Sequence, residues 1–411
     1  MNSFGTKYKI TLYGQSHSPK IGMIIEGVPS NIVLDLEELS QWIHRRKVGD
    51  LVELTSIATT QRKEDDTPIF IEGVVPYSES IESAKEILPQ NSTEKFAEKS
   101  ALTSIFTDNI CKRVSYITTG ERIVIEFKNE NIRGKDYEDF DQVPRPSHAD
   151  YVNKIKYNCN EDFLMGGGIS SGRMTLPLVA AGYIATQIIN AQRVTNIQQD
   201  ISTQQDINTK QVTNTKQNSN SEDSISKQNQ NRGIISINSY IKSIYGEEIS
   251  SLWNQIIKDC AEEKDSVGGV IECKVDGLPA GIGEPFFDSL ESIISHLAFS
   301  VPGIKGIEFG NGFKATELRG SENNDPIIDQ TGKTKSNNSG GINGGISNGN
   351  PLIFRVAVKP TASIGKIQQT FNFKSQKVEP FSIKGRHDVC FGLRVPIVIE
   401  AITAIAIAEL I

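Results

Sequence analysis

The sequence predicts a soluble fold of mixed α and β structure, and three observations carry that reading. Lys9 to Tyr13 and Met23 to Gly27 are short apolar-rich runs of strand length. Asp35 opens a segment in which Leu36, Leu39 and Ile43 share one helical face. Arg173 to Val194 is apolar, with helical spacing and little turn chemistry before Asn196.

The helix begun at Asp35 ends in Arg45, Arg46 and Lys47, cations that suit the negative end of a helix dipole. They also belong to a local excess. Between His44 and Lys63 the bases Arg45, Arg46, Lys47, Arg62 and Lys63 face only Asp50 and Glu53. In a chain with 43 Lys and Arg against 50 Asp and Glu, a formal charge of -7, that cluster favours a local anion site. The overall charge offers no pull toward nucleic acid or an anionic membrane.

A Gly/Ser-rich run, Gly166-Gly167-Gly168-Ile169-Ser170-Ser171-Gly172, feeds the predicted helix from Arg173. Such a loop presents free backbone N–H groups and the positive dipole end to a phosphate. From Asn196 to Arg232 the chain turns to Gln, Asn, Ser, Thr and Lys, which bury too little apolar surface to offset their ordering entropy. A disordered insertion at 196–232 is expected there. The glycine-dense run Gly340 to Gly349 reads equally as a close backbone approach to a ligand or as a flexible surface loop. Near the end, Pro396 to Ile411 is very apolar, yet short for a span and interrupted by Glu400 and Glu409. It reads as a buried strand or helix, with no membrane partner. Met1 to Gly14 lacks the uninterrupted apolar stretch of a signal peptide. The five scattered cysteines show no C-x-x-C pair or zinc spacing, so no metal is expected and a reducing, cytoplasmic setting is.

Of the five histidines, His17, His148 and His387 sit in polar contexts, and an imidazole can give a proton to a leaving phosphate near neutral pH. His44 and His296 lie in helical apolar patterns and read as structural. Gly168-Ile169-Ser170-Ser171-Gly172 matches G-x-S-x-G, so a serine hydrolase using Ser170 and His387 is the alternative enzyme reading. That motif requires a strand running into the turn, and three glycines leave room for only a very short one. No Walker A loop and no convincing Rossmann fingerprint are present.

The ordered motifs resemble the chorismate synthase family. Gly14-Gln15-Ser16-His17-Ser18 is similar to its GESHG, and Ile25-Glu26-Gly27-Val28-Pro29 to its I-x-G-x-P. Arg45-Arg46 with Gly49, Thr60 to Glu64 and Thr118-Thr119-Gly120 follow. Arg145-Pro146-Ser147-His148-Ala149-Asp150 resembles RPGHAD, and Gly166 to Thr175 resembles GGG-x-x-S-x-R-x-T. Asp265 to Gly269, Gly277 to Pro285, Lys305 to Glu308, Gly344 to Ser347, Lys359 to Ile364 and Gly385 to Asp388 complete the series in order. Gln15 and Ser18 stand where the commonest first motif has Glu and Gly, Ser147 where it has Gly, and Val389 where it has Pro.

The resemblance implies one α+β catalytic domain over 1–411, a β-α-β sandwich with helices between antiparallel sheets, carrying insertions at 75–115 and 196–232. It implies a homotetramer. The implied reaction is the anti 1,4-elimination of phosphate from 5-enolpyruvylshikimate 3-phosphate to chorismate, with reduced FMN and no net redox change, and with NADPH as candidate reductant. By resemblance His17 protonates the phosphate, His148 manages the proton balance of the reduced flavin, and Asp388 assists removal of the carbon 6 hydrogen through the flavin. Ser170, Ser171, Gly303, Gly344, Lys359, Pro360, Thr361, Ala362, Ser363 and Arg386 match FMN-holding positions. A substrate with two carboxylates and a phosphate needs several cations, and Arg45, Arg46, Arg62, Arg145 and Arg173, with Ser16, are the candidates. The departures at Gln15, Ser18 and Ser147 keep open a third reading, a non-catalytic flavin-binding module.

Overall fold

The computed structural model describes residues 2–51, 53–54, 58, 65–77, 115–129, 140, 142–157, 165–192, 234–383 and 388–411. The expected insertion at 196–232 lies outside them, as does all but the ends of the one at 75–115.

The amino-terminal part supplies β1 (Ser3–Phe4), β2 (Lys9–Tyr13), β3 (Lys20–Glu26), β4 (Val33–Asp35), β5 (Ile69–Glu72), β6 (Val74–Tyr77), β7 (Ser115–Thr118) and β8 (Ile123–Lys128). The predicted strand at Met23 therefore begins three residues earlier, at Lys20. An antiparallel sheet runs in the order β1-β2-β3-β8-β5. Its core face is built by pairs directly opposite one another, Ile21 with Phe127, Met23 with Ile125 and Ile25 with Ile123, all fully buried. A smaller sheet, β4-β7-β6, pairs Tyr77 with Ser115, so the segment expected as an insertion joins two neighbouring strands.

The carboxy-terminal part supplies β9 (Ser236–Ile244), β10 (Gly269–Asp276), β11 (Ile304–Phe309), the short hairpin β12 (Ile342–Asn343) and β13 (Ile346–Ser347), β14 (Leu352–Val358), and a second hairpin of β15 (Gln368–Asn372) and β16 (Lys377–Phe381). The second large sheet, β11-β14-β10-β9, is also antiparallel. It repeats the same device, with Ile271 opposite Val356, Cys273 opposite Phe354 and Val275 opposite Leu352.

The helices are α1 (Leu36–Val48), α2 (Asp150–Tyr157), α3 (175–192), α4 (Ser250–Glu262), α5 (Leu290–Ser300) and α6 (Pro396–Leu410), and α3 and α6, the most buried of them, fill the space between these two faces. Asp35 caps α1, accepting from the Glu37 and Glu38 amides. The apolar carboxy-terminal stretch resolves as helix, starting at Pro396 in the first turn and buried from Pro396 to Ala408. A helix apolar on all sides is a core helix, and α6 has neighbours on every side. It faces β9 and β10, where Glu400 accepts from the Ser239 amide and Thr403 meets Cys273. On its other flank it crosses α3, and α3 touches the first sheet through a hydrogen bond from the Tyr8 hydroxyl to the Ala181 carbonyl. The layers are therefore sheet, helices, sheet, the expected β-α-β sandwich. Among the described residues, the run Gly172–Gln192 that includes α3 is the one helix long and apolar enough to cross a membrane, and its burial in this layer accounts for that composition.

The ends of the chain are tied together. The Glu409 carboxylate accepts from the amides of Thr6, Lys7 and Tyr8 and from the Thr6 hydroxyl, at 2.7–3.0 Å.

The α3–α6 crossing is so close that a Cβ on Gly182 would lie 2.3 Å from both Cα and Cβ of Ala401. Gly182→Ala should therefore destabilise the protein by at least about 1–3 kcal/mol, the usual range for overpacking, read as a lower urea midpoint.

Candidate active site

The site begins at the entry to α3. Met165–Ser170 and Gly172–Met174 form successive 3-10 turns, with the Ser171 side chain accepting from the Arg173 amide. Among the described residues Ser170 is reached through a 3-10 turn rather than a strand, which is not the geometry of a nucleophile elbow, and the Ser170 hydroxyl meets the Asn153 amide at 3.2 Å. Gly168 accepts a hydrogen bond from the Ser16 amide at 3.1 Å, which seats the first histidine motif on this turn. Gly167, at φ +90°, lies against His148: a Cβ there would sit 3.3 Å from the ring Cε1. His17 and His148 thus belong to segments that touch adjacent residues of one glycine turn.

His148 is held from behind. Its Nδ1 is 2.6 Å from the Asp150 carboxylate, which also takes Nε and Nη2 of Arg145 at 2.7 Å each. Burial works to raise the Asp150 carboxyl, but the hydrogen bonds from Arg145 and His148 outweigh it and hold it well below the usual carboxylate range. Burial, helped by the charges of Arg145 and Lys359, holds the His148 imidazole below the ordinary histidine value in spite of Asp150. Ser147 has φ +58°, the left-handed conformation for which the family motif has Gly, and its carbonyl accepts from Lys359 Nζ at 2.7 Å.

The segment Lys359 to Ser363 closes the other side. Ser363 accepts from Arg145 Nη1 at 2.9 Å, and the Lys359 amide donates to Gly303 at 2.9 Å. Burial and the neighbouring charge of Lys305 lower the Lys359 ammonium pKa, an environment that an anion would relieve. Thr361 Oγ1 is buried without a hydrogen-bond partner among the described residues. Gly172 and Gly303 both face the Phe391 ring, where added Cβ atoms would come within 3.2 and 3.5 Å. Asp388 pairs with Arg394 at 3.3 Å. The next residue, Val389, donates its amide to Ala58 at 2.7 Å, a bond the family's proline could not make.

The arginine candidates divide. Arg45 turns away from this cluster: its guanidinium bonds Glu400, whose side chain is 5% exposed, through two nitrogens, and Asp50 through Nε. Arg145 bonds Asp150 through Nε and Nη2 and Ser363 through Nη1. Both guanidiniums thus meet carboxylates of this chain, Arg45 those of Glu400 and Asp50 and Arg145 that of Asp150. Arg46 and Arg173 stay at the α3 entry, Arg46 bonding Thr175 and the Gly172 carbonyl, and both share the Asp66 carboxylate, at 3.8 and 2.5 Å. Arg62 and Arg386 lie outside the described residues, as does His387.

Gly344 stands apart within this chain. It tips the hairpin beside the amino end of α5, where the Gly345 carbonyl accepts from Leu290, while Gly303 follows the carboxyl end of that helix. An 11-residue helix separates them by about 16 Å. Sequence reasoning assigned no role to Asp150, Asp66, Lys305 or Phe391. A detectable signal existed for Asp150, a carboxylate two residues beyond His148 at a helix start.

Fold and site together define a class: an α+β sandwich protein with a histidine–aspartate pair between a glycine turn and a lysine-bearing loop. A family profile described as chorismate synthase matches residues 8–95 and 110–411, and the chain belongs to the chorismate synthase family. As a member it is a lyase of the shikimate pathway, in aromatic amino-acid biosynthesis. The chorismate synthase of Chitinophaga pinensis is 41% identical over 409 residues, covering 100% of this chain and 96% of its own. That of Lancefieldella parvula is 35% identical over 411 residues, covering 99% and 95%. A crystal structure of a chorismate synthase, 20% identical, matches the fold with a TM-score of 0.59 over 99% of this chain and 92% of its own.

Two outcomes follow from this geometry. Arg45→Ala should lower stability toward the low end of about 3–5 kcal/mol, since it strands the buried Glu400 while Arg45 itself is a third exposed; urea midpoints measure it. For His148, a folded pKa below the unfolded value of roughly 6.5 means the unfolded chain takes up the proton first. Its contribution is therefore full above about pH 6.5 and declines as pH falls toward the folded value, and His148→Gln should flatten that part of the stability profile.

Proposed function

We propose that the protein converts 5-enolpyruvylshikimate 3-phosphate to chorismate by anti 1,4-elimination of phosphate, with reduced FMN and no net redox change. The observation that carries this reading is the shared glycine turn: Ser16 of the His17 motif hydrogen-bonds Gly168, and His148 packs on Gly167. Two proton-carrying side chains thereby flank one anion-binding helix entry.

The residues present fit a phosphate-bearing flavin. Lys359 carries an unrelieved charge, the Thr361 hydroxyl lacks a partner among the described residues, and Gly172 and Gly303 leave space where Cβ atoms would crowd Phe391. Lys359 to Ser363, Ser170, Ser171 and Gly303 would hold it, with Arg386 and a Gly344 hairpin as further candidates. When bound, reduced FMN supplies electron density to the allylic system as phosphate departs and regains it as hydrogen leaves.

The chain's own groups do the rest. His17 donates a proton to the departing phosphate oxygen. The α3 entry adds a positive field, since Arg46 and Arg173 carry two charges against the one of Asp66 and stand at a dipole end equivalent to roughly +0.5 charge. His148, whose imidazole burial holds below the ordinary histidine value, takes up a proton at Nε2 and gives it back. Asp388, oriented by Arg394, serves removal of the carbon 6 hydrogen. A homotetramer, a cytoplasmic setting and NADPH as reductant belong to the same proposal.

Purified protein, kept anaerobic with the phosphorylated substrate and chemically reduced FMN, should release phosphate and chorismate in equal amounts; absence of both refutes the proposal. His17→Ala should cut the rate about 10²- to 10⁴-fold while FMN still binds, whereas a non-catalytic flavin module would bind FMN and show no turnover to lose.

A further inference from the structure

We propose that Asp150 is the positioning residue of this site, locking His148 as the Nδ1–H tautomer so that Nε2 is the atom that exchanges protons, with Arg145 fixing Asp150 in turn. The inference rests on the reading of His148 as a proton carrier and supplies what that reading lacks, the side chain that decides which nitrogen acts.

The argument is a count of donors. A carboxylate has about four acceptor positions, and those of Asp150 are all taken. Oδ2 accepts from the Arg145 amide at 3.1 Å and from Arg145 Nε at 2.7 Å; Oδ1 accepts from Arg145 Nη2 at 2.7 Å and meets His148 Nδ1 at 2.6 Å. Arginine has no acceptor and stays charged, so three of the four contacts are donors that cannot be reversed. Protonating Asp150 would require one of them to turn away inside a site where its side chain is 2% exposed. Asp150 is therefore the anion, and the fourth contact must also be a donor, which assigns the proton to Nδ1 of His148.

The charged groups facing His148 are Asp150, Arg145 and Lys359, and the two cations with burial oppose a second proton on the ring. Nε2 has no hydrogen bond among the described residues, and it lies on the side of Gly167, where a Cβ would stand 3.5 Å away. Position in the fold reinforces the arrangement. Asp150 is the first residue of α2, where the dipole favours a negative charge, and Arg145 reaches from the same turn to Ser363. The segment expected to hold FMN is thus two hydrogen bonds from the group that orients the histidine.

The test reads the ring directly. In ¹⁵N-histidine-labelled protein near neutral pH, with the His148 signal assigned by its loss in His148→Gln, Nδ1 should carry the proton and Nε2 should not. Asp150→Asn, which turns an amide N–H toward Nδ1, should switch the proton to Nε2, lower kcat about 10²- to 10⁴-fold and leave FMN affinity within a few-fold, while Asp150→Glu restores part of the rate. A wild-type ring protonated at Nε2, or an Asp150→Asn protein that keeps both tautomer and rate, overturns the proposal. If Asp150→Asn fails to fold, the wild-type spectrum alone decides. A wild-type protein without lyase turnover would sink the proposed function while the spectrum still judges the tautomer.

Discussion

Close contact between two buried helices is the constraint on which the rest of this structure depends. Gly182 of α3 lies against Ala401 of α6 with no room for one more carbon, and each helix fills the gap between a sheet and its neighbour. Both helices also start at the site, α3 from the Ser170–Arg173 turn and α6 from the Asp388–Arg394 segment. Fixing the crossing point fixes where their amino ends lie relative to each other, and the Phe391 ring records the result by standing within contact of both Gly172 and Gly303. The positive dipole ends of both helices are thereby directed to one region by the sandwich's own framework.

On that framework the charged residues sort themselves by what faces them. Arg45 and Arg46 are consecutive, so they project about 100° apart around α1. One meets Glu400 on α6 and the other meets the α3 entry. Burying Glu400 in the middle of a core helix would be prohibitive alone, and the bidentate guanidinium with the Ser239 amide satisfies it. The same economy operates at Asp150, which holds Arg145, and at Asp66, which is shared by Arg46 and Arg173.

Much of the architecture was legible in the sequence. The short apolar run Lys9–Tyr13, the Asp35 cap and the helical spacing from Arg173 are local patterns, and the structure follows them, while the uniformly apolar run from Pro396 left strand or helix open and resolves as helix. Strand order was not legible, because β3 pairs with β8 about a hundred residues later and nothing local encodes that partner. Site residues fared likewise. His17, His148 and Lys359 carry recognisable motifs and fall on segments that meet. The fate of Arg45 depended on a glutamate 355 residues away, and the importance of Asp150 on knowing that His148 turns its ring backward. Ser147 and Val389, departures from family motifs, prove compatible for opposite reasons: one tolerates the left-handed backbone its glycine counterpart favours, the other adds a hydrogen bond.

The Glu409 clamp on Thr6, Lys7 and Tyr8 also bears on how the protein comes apart. Its partners are 401–403 residues apart in sequence, so the loop it closes spans both sheets and the helices between them. Fraying of the last turn of α6 returns three amides at the turn before β2 to water, so the edge of the first sheet and the end of the core helix loosen together.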